Sequence, residues 1–200
     1  MKLLLFLVLS VVLRLPTASA QEARARRGDP LPTQGTSHLY ITPMPGQIPS
    51  SLKELCDLST LIIDGTVKAT IPPRDTGTGA LETDAVIAIG RTLKGPASLN
   101  HVVISQRGGT TGDRAVVPAQ YSLVEPGERY ILFLTEDKRP NIPEVATTKR
   151  YLVVGIWSGL FRFEEGRMRV NARTPDPLRS RYEGLSLEQI TGEISDVLRP

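Results

Sequence analysis

The chain has 200 residues with one cysteine and two histidines, and its 24 basic and 21 acidic side chains give a formal charge of +3. A single cysteine excludes an internal disulfide, so burial of apolar side chains must hold the fold. The charge excess sits in residues 1–50; residues 51–200 carry 19 basic and 19 acidic side chains, and a neutral domain has no broad field with which to gather a nucleic-acid backbone.

The chain opens as a secretory leader. Met1-Lys2 is positive, Leu3 to Leu13 is an apolar run interrupted only by Ser10, and Ala18-Ser19-Ala20 is a small-x-small cleavage sequence. The run is too short to span a hydrocarbon core, which needs roughly 20 residues. No cysteine follows the small residues, so a lipid anchor is not expected. Residues 1–20 are therefore predicted to be a signal peptide cut between Ala20 and Gln21. The mature protein is predicted to be secreted or periplasmic, with no transmembrane segment.

Residues 21–49 read as a disordered linker: Arg24, Arg26 and Arg27, then Pro30, Pro32, Pro43, Pro45 and Pro49 among Gly and Gln. Such a stretch buries too little apolar area to offset its ordering entropy. Ser51-Leu52-Lys53-Glu54 is a capping box that starts a short helix, with Leu52, Leu55 and Cys56 on one face. In Leu61 to Ile71 the odd positions are apolar or Gly and the even ones mostly polar. That period predicts a strand with its odd side buried and Asp64, Thr66 and Lys68 in water. Gly65 marks a bulge or sharp bend, as at a barrel corner.

After Pro72-Pro73 and a turn-rich loop, further strands are predicted near Thr83–Leu93, His101–Gln106 and Ala115–Val117. Arg107 to Asp113 between the last two reads as a flexible glycine-rich loop. Tyr130-Ile131-Leu132-Phe133-Leu134 reads as a strand buried on both faces, followed by a strand from Tyr151 to Ile156. Phe161 and Phe163, then Glu165-Gly166, then Met168 and Val170 form a hairpin. Ser186 and Gln189 make a second capping box, and Leu187, Ile190, Ile194 and Val197 form the apolar stripe of a C-terminal helix. The domain organisation is thus 1–20 leader, 21–49 linker, 50–174 barrel and 175–200 linker and helix packed on that barrel. Short strands at regular spacing point to a small β-barrel or sandwich.

The helix, Leu61-Ile62-Ile63-Asp64-Gly65-Thr66-Val67, the strand ending in Leu93-Lys94-Gly95, the glycine-rich loop and Pro126-Gly127-Glu128-Arg129-Tyr130-Ile131-Leu132-Phe133-Leu134 occur in a telling order. Over residues 51–170 this order resembles a group of exported bacterial proteins of uncharacterised role. It is also similar to the netrin-like module of tissue inhibitors of metalloproteinases. The resemblance implies an OB-like closed barrel, mainly β, with a short N-terminal helix and a C-terminal amphipathic helix. Inhibitors of that family chelate zinc through a disulfide-held N-terminal cysteine, which this chain lacks, so the resemblance implies the barrel and not that mode of inhibition.

Familiar catalytic patterns are missing. Gly155-Ile156-Trp157-Ser158-Gly159 has its Ser misplaced for a nucleophile elbow. There is no His-Glu-x-x-His or Cys-x-x-Cys, so no metal or cofactor is predicted. His101 is a candidate base with Asp113 or Asp84, although nothing in the spacing demands it. Cys56 reads as a small buried apolar residue. The leading reading is a non-catalytic, monomeric binding or scaffold module for a protein or envelope component. A netrin-like protease inhibitor, with Arg107 to Asp113 as an inserting wedge, comes second and a hydrolytic enzyme third. Arg107, Trp157, Arg162 and Arg169 are the candidate ligand-binding residues, as they would line the ligand face of an OB-like barrel. Alternating Arg on a hairpin also protects an exposed edge.

Overall fold

A computed structural model describes residues 37–41, 48–77, 79–112, 114–139, 149–170 and 176–200, all within the unit Thr36–Pro200. The leader and most of the stretch read as a linker lie outside the described residues.

Among the described residues, ten strands and three helices occur in the order β1 (Ser37–Ile41), α1 (Leu52–Leu58), β2 (Leu61–Asp75), β3 (Leu81–Lys94), β4 (His101–Arg107), β5 (Gly109–Thr111), β6 (Arg114–Pro118), β7 (Arg129–Glu136), β8 (Arg150–Val153), β9 (Leu160–Glu164), β10 (Arg167–Arg169), α2 (Pro177–Ser180) and α3 (Leu187–Leu198). Strands β2, β3, β4, β8 and β7 pair in sequence around a ring, and β7 returns to β2 to close a five-stranded barrel. All of these pairs are antiparallel except β4 with β8. The first half of β7 pairs with β9 on the edge whose second half takes β8, so the β9–β10 hairpin extends the sheet beyond the ring. Glu165 and Gly166 both have positive φ, 51° and 75°, the geometry that lets a two-residue turn follow the strand twist.

One sequence pattern serves two cores. The apolar run of β7 sends Tyr130, Leu132 and Leu134 into the barrel, where they meet Leu61, Ile63, Val67, Ala85, Ile87, Val102 and Ile104. Its alternate residues, Ile131 and Phe133, point outward with Ile62 and Phe161 against Leu55 and Cys56 of α1, Leu178 of α2 and Ile190 and Ile194 of α3. Both faces of β7 are therefore buried, as the uninterrupted hydrophobic run requires. The α3 capping box forms in full: the Ser186 side chain accepts from the Gln189 amide and the Gln189 side chain accepts from the Ser186 amide. At α1 only half of the expected box forms. Ser51 accepts from the Glu54 amide, but the Glu54 carboxylate accepts from the amide and hydroxyl of Ser50 instead.

Gly65 lies at a register shift between β2 and β3, and a Cβ there would fall 2.6 Å from Ile87 Cγ2 and 2.9 Å from the Ala88 carbonyl oxygen. The strand bends at this bulge, as expected of a barrel corner. The predicted face alternation of β2 holds only in part. Leu61, Ile63 and Val67 are buried and Lys68 is exposed, but Asp64 is only 5% exposed and Ile71 is 43% exposed. Helices cover the outer face at Ile62, and Arg129 covers Asp64. Beyond Val67 the register shifts again and β7 no longer lies alongside, so the odd side comes out of the core.

Two further differences concern loops. Within the stretch read as a linker, Ser37–Ile41 forms a strand parallel to β6. The glycine-rich segment read as a flexible loop contains β5, antiparallel to β6. Its Gly108 amide donates to the Leu81 carbonyl, 2.7 Å, and its Gly108 carbonyl accepts from Thr83 Oγ1, 2.7 Å. Asp113 lies outside the described residues.

Candidate functional site

Three clusters of buried polar groups stand out. The largest covers the outer face of β3, β4 and β8. Glu82, Asp84 and Asp137 are buried there and are met by Arg74, Arg139 and Arg150. Arg74 donates to Asp84 and Glu82 at 2.5 and 2.8 Å, Arg150 lies 2.9 Å from Asp84, and the Ser105 hydroxyl donates to Asp84 at 2.7 Å. The Arg139 hydrogen bond holds the Asp137 carboxyl below the usual carboxylate range. Each carboxylate is engaged by guanidinium, an arrangement that fastens the β2–β3 hairpin to β4 and to the end of β7. Nothing in it is poised for proton transfer. His101 cannot assist Asp84, because it is exposed and in register with Ala88, while Asp84 is opposite Ser105.

The second cluster is a helix cap. The Ser158 hydroxyl donates to Asp176 Oδ2 at 2.8 Å, and Asp176 Oδ1 accepts from the amides of Leu178 and Arg179 at the start of α2. Arg179 Nε lies 3.2 Å from the same carboxylate, and burial lowers the guanidinium pKa. Ser158 is thus a structural hydroxyl. Cys56 is likewise structural: it is fully buried, and burial pushes its thiol up to about 11.

The third cluster lies at one end of the barrel and is built by the turn that joins β8 to β9. Both strands run antiparallel to β7 along the same edge, so residues 154–159 loop out and rejoin that edge in the same direction. Val154 N–H donates to the Phe133 carbonyl, Phe133 N–H to the Gly159 carbonyl, and Gly159 N–H to the Val154 carbonyl. Gly155 is irreplaceable by shape, since a Cβ would lie 2.4 Å from Pro49 Cδ. Ile156 has φ of 66°, a left-handed conformation that costs a β-branched residue roughly 1–2 kcal/mol. This strained turn buries Trp157 to 3% exposure. The indole stacks on Tyr121, with ring centroids 6.2 Å apart and planes 20° from parallel.

Tyr121 donates its hydroxyl to the Arg107 carbonyl at 2.7 Å, and burial raises its phenol pKa. Next to Arg107, the 5%-exposed Gln106 accepts the Val124 N–H through Oε1, 3.1 Å. Among the buried polar atoms without a hydrogen-bond partner are Trp157 Nε1, Gln106 Nε2 and, next to Tyr121 in the chain, Gln120 Oε1. Each such group costs about 1–3 kcal/mol when left unpaired. Backbone strain at Ile156 directly beside the unpaired Trp157 donor makes this turn the candidate site.

The four residues predicted from sequence fall into two pairs. Arg107 and Trp157 are joined through Tyr121, although Arg107 contributes its carbonyl there. Arg162 and Arg169 are register partners on β9 and β10. Arg162 Nε lies 3.1 Å from Glu128, which also accepts the Tyr130 hydroxyl at 2.7 Å, and Arg169 lies 3.8 Å from Glu183. Gln106, Gln120 and Tyr121 were not foreseen. Their only sequence signal is a run of polar and aromatic residues at the ends of β4 and β6. Among the described residues no group of three or more His, Cys, Asp and Glu side chains is placed to hold a metal, and no helix is long and apolar enough to cross a membrane. Comparison with protein-family models and with curated proteins finds no match to this chain.

Proposed function

We propose that the chain is an exported, non-catalytic binding module built on an OB-like barrel. The observation that carries this reading is the barrel end at Trp157, where a strained turn, an aromatic stack and unpaired buried donors occur together. A closed five-stranded ring supports the OB-like comparison. The apolar leader and its Ala18-Ser19-Ala20 sequence support export. Nuclear magnetic resonance titration with separate carboxylate, phosphate, sugar and amide probes tests the binding reading. Shifts clustered on Gln106, Tyr121 and Trp157 are expected, and no response to any class would refute it. N-terminal sequencing of extracytoplasmic protein tests export, with Gln21 as the expected first residue; an intact Met1 on membrane-bound material would refute it.

One observation favours a second reading, a netrin-like protease inhibitor. The Arg107–Gly112 segment is tethered through Gly108 and β5, so an inserting wedge would not need to be ordered on binding. Titration of a panel of exported metalloproteases, with deletion of residues 108–112 as control, decides between them. Submicromolar inhibition lost on deletion would replace the first reading.

A further inference from the structure

We infer that β1 is an exchangeable strand, and that the edge of β6 it covers also accepts Ser37–Ile41 from a second copy of this chain. The inference is independent of the Trp157 site. Strand β6 stands in the middle of its sheet. On one edge β5 pairs Gly109–Thr111 with residues 114–116, and on the other β1 runs parallel to β6, from Ser37 opposite Arg114 to Ile41 opposite Pro118. Ala115 and Val116 of β6 are buried. With β1 taken away, residues 114–117 would present an open apolar edge, a template for another strand. The edge therefore needs a cover. The cover it has is a five-residue strand from a proline-rich stretch, paired among the described residues with β6 and with no other strand.

Main-chain hydrogen bonds give strand addition its affinity, and they are the same whether the strand belongs to its own chain or to another copy. Exchange therefore conserves the ladder, and the balance is set by the connection to the rest of the chain. Residues 42–47, Thr42-Pro43-Met44-Pro45-Gly46-Gln47, join Ile41 to Ile48, and seven steps of backbone span at most ~25 Å. Pro43 and Pro45 fix their own φ and bias the residues before them toward extended backbone, which limits how freely such a connection folds back. A short, stiff hinge invites exchange of an identical element between copies. The five residues that fit the edge are present in every copy, so a second molecule supplies the matching strand without a partner of another sequence.

Tyr40 and Val117 are register partners, so a disulfide between them reports the ladder. Cys56→Ala removes the only native thiol. In that background one mature chain carries Tyr40→Cys and another Val117→Cys, the second labelled with nitrogen-15 so that mass identifies the mixed dimer. The two are mixed and oxidised at ~0.1 to ~1 mM, the range that the effective concentration of a short tether sets. Mixed dimers are expected, with a yield that rises with protein concentration. The yield should be at least several-fold above that of Ser37→Cys mixed with Val117→Cys, whose ladder positions lie three residues, ~10 Å, apart. A single chain carrying both Tyr40→Cys and Val117→Cys, oxidised at ~1 μM, should close the disulfide within itself, since that is far below the tethered concentration.

Closure within the double variant, with no mixed dimer at the highest concentration, would overturn exchange and leave β1 a fixed strand. Equal yields from the in-register and off-register mixtures would mark random collision and overturn it as well. Failure of the double variant to close would overturn the β1–β6 register and the inference with it.

Discussion

Gly65→Ala is the sharpest test of the barrel corner. The added methyl would lie 2.6 Å from Ile87 Cγ2 and 2.9 Å from the Ala88 carbonyl oxygen. Ile87 is fully buried in the interior core, and the Ala88 carbonyl belongs to the β3 backbone, so neither neighbour can step aside cheaply. Overpacking of this kind costs ~1–3 kcal/mol, against a gain of ~0.4–1 kcal/mol from the stiffer unfolded chain. A net loss of about 1–2 kcal/mol is expected, which at this chain length lowers Tm by roughly 2–8 °C. Gly90→Ala, in the same strand pair, is the internal control. Its Cβ would meet nothing closer than 3.6 Å, and its φ is not positive, so the substitution should be neutral or stabilising. Urea unfolding followed by Trp157 fluorescence measures both. Equal midpoints for the two variants would refute the tight approach of β2 and β3 at the bulge.

Val67→Asp should destabilise by more than ~3 kcal/mol, because it buries an uncompensated charge in the barrel core, whereas the exposed Lys68→Asp should change stability by less than ~0.5 kcal/mol; comparable urea midpoints would displace the assigned register. Stability should also fall in acid. Arg139 holds the Asp137 carboxyl below its ordinary value, so its stabilisation is complete above an unfolded pKa of ~3.9 and is lost as pH drops through the lower folded value. Asp137→Asn should flatten that limb of a urea-midpoint-versus-pH curve, and an unchanged limb would exclude the pair as its source. Cys56, with its thiol pushed up to about 11, should react with a disulfide reagent at pH 8 only as the protein opens. A native-state rate equal to that of the urea-unfolded chain would contradict its burial beneath α1 and α3.

What could be read in advance followed from local physics. The Ser186–Gln189 box, the Glu165-Gly166 turn, the corner at Gly65 and the doubly buried β7 are each written within a few neighbouring residues. Asp64 was misplaced because the residue that buries it, Arg129, is 65 positions away and grips it through two hydrogen bonds of 2.9 and 2.8 Å. The Glu82–Asp84–Asp137 cluster was illegible for the same reason: alternate acids on β3 look like a wet face until arginines from β2 and β8 close over them. The segment containing β5 looked flexible by composition. Its glycines are needed instead for close approach, since a Cβ at Gly109 would lie 2.5 Å from Pro73 Cγ. Trp157 stands out in the sequence by residue type alone, and its stacking partner Tyr121 comes from the chain after β6, which no spacing rule connects to it.

The contrast between the two polar regions argues for where recognition takes place. In the arginine–carboxylate cluster three acids meet three guanidinium groups, so partner charges are already matched and a ligand would have to break ion pairs to enter. Breaking one such buried pair costs ~3–5 kcal/mol, more than a small ligand would readily recover. At Trp157 no ion pair stands in the way: the indole N–H is buried without a partner, and the backbone at Ile156 holds an unfavourable conformation beside it. A fold selected for stability alone would relieve the strain with a glycine at 156. Ile156→Gly tests this directly. Relief of the left-handed strain should offset the entropy of the freer unfolded chain, leaving global stability within ~1 kcal/mol of the parent. If the turn exists to hold the indole for binding, the same substitution should weaken by several-fold the binding of whichever probe class shifts the Trp157 indole N–H. Unchanged affinity together with unchanged stability would show that the strained turn has no part in recognition.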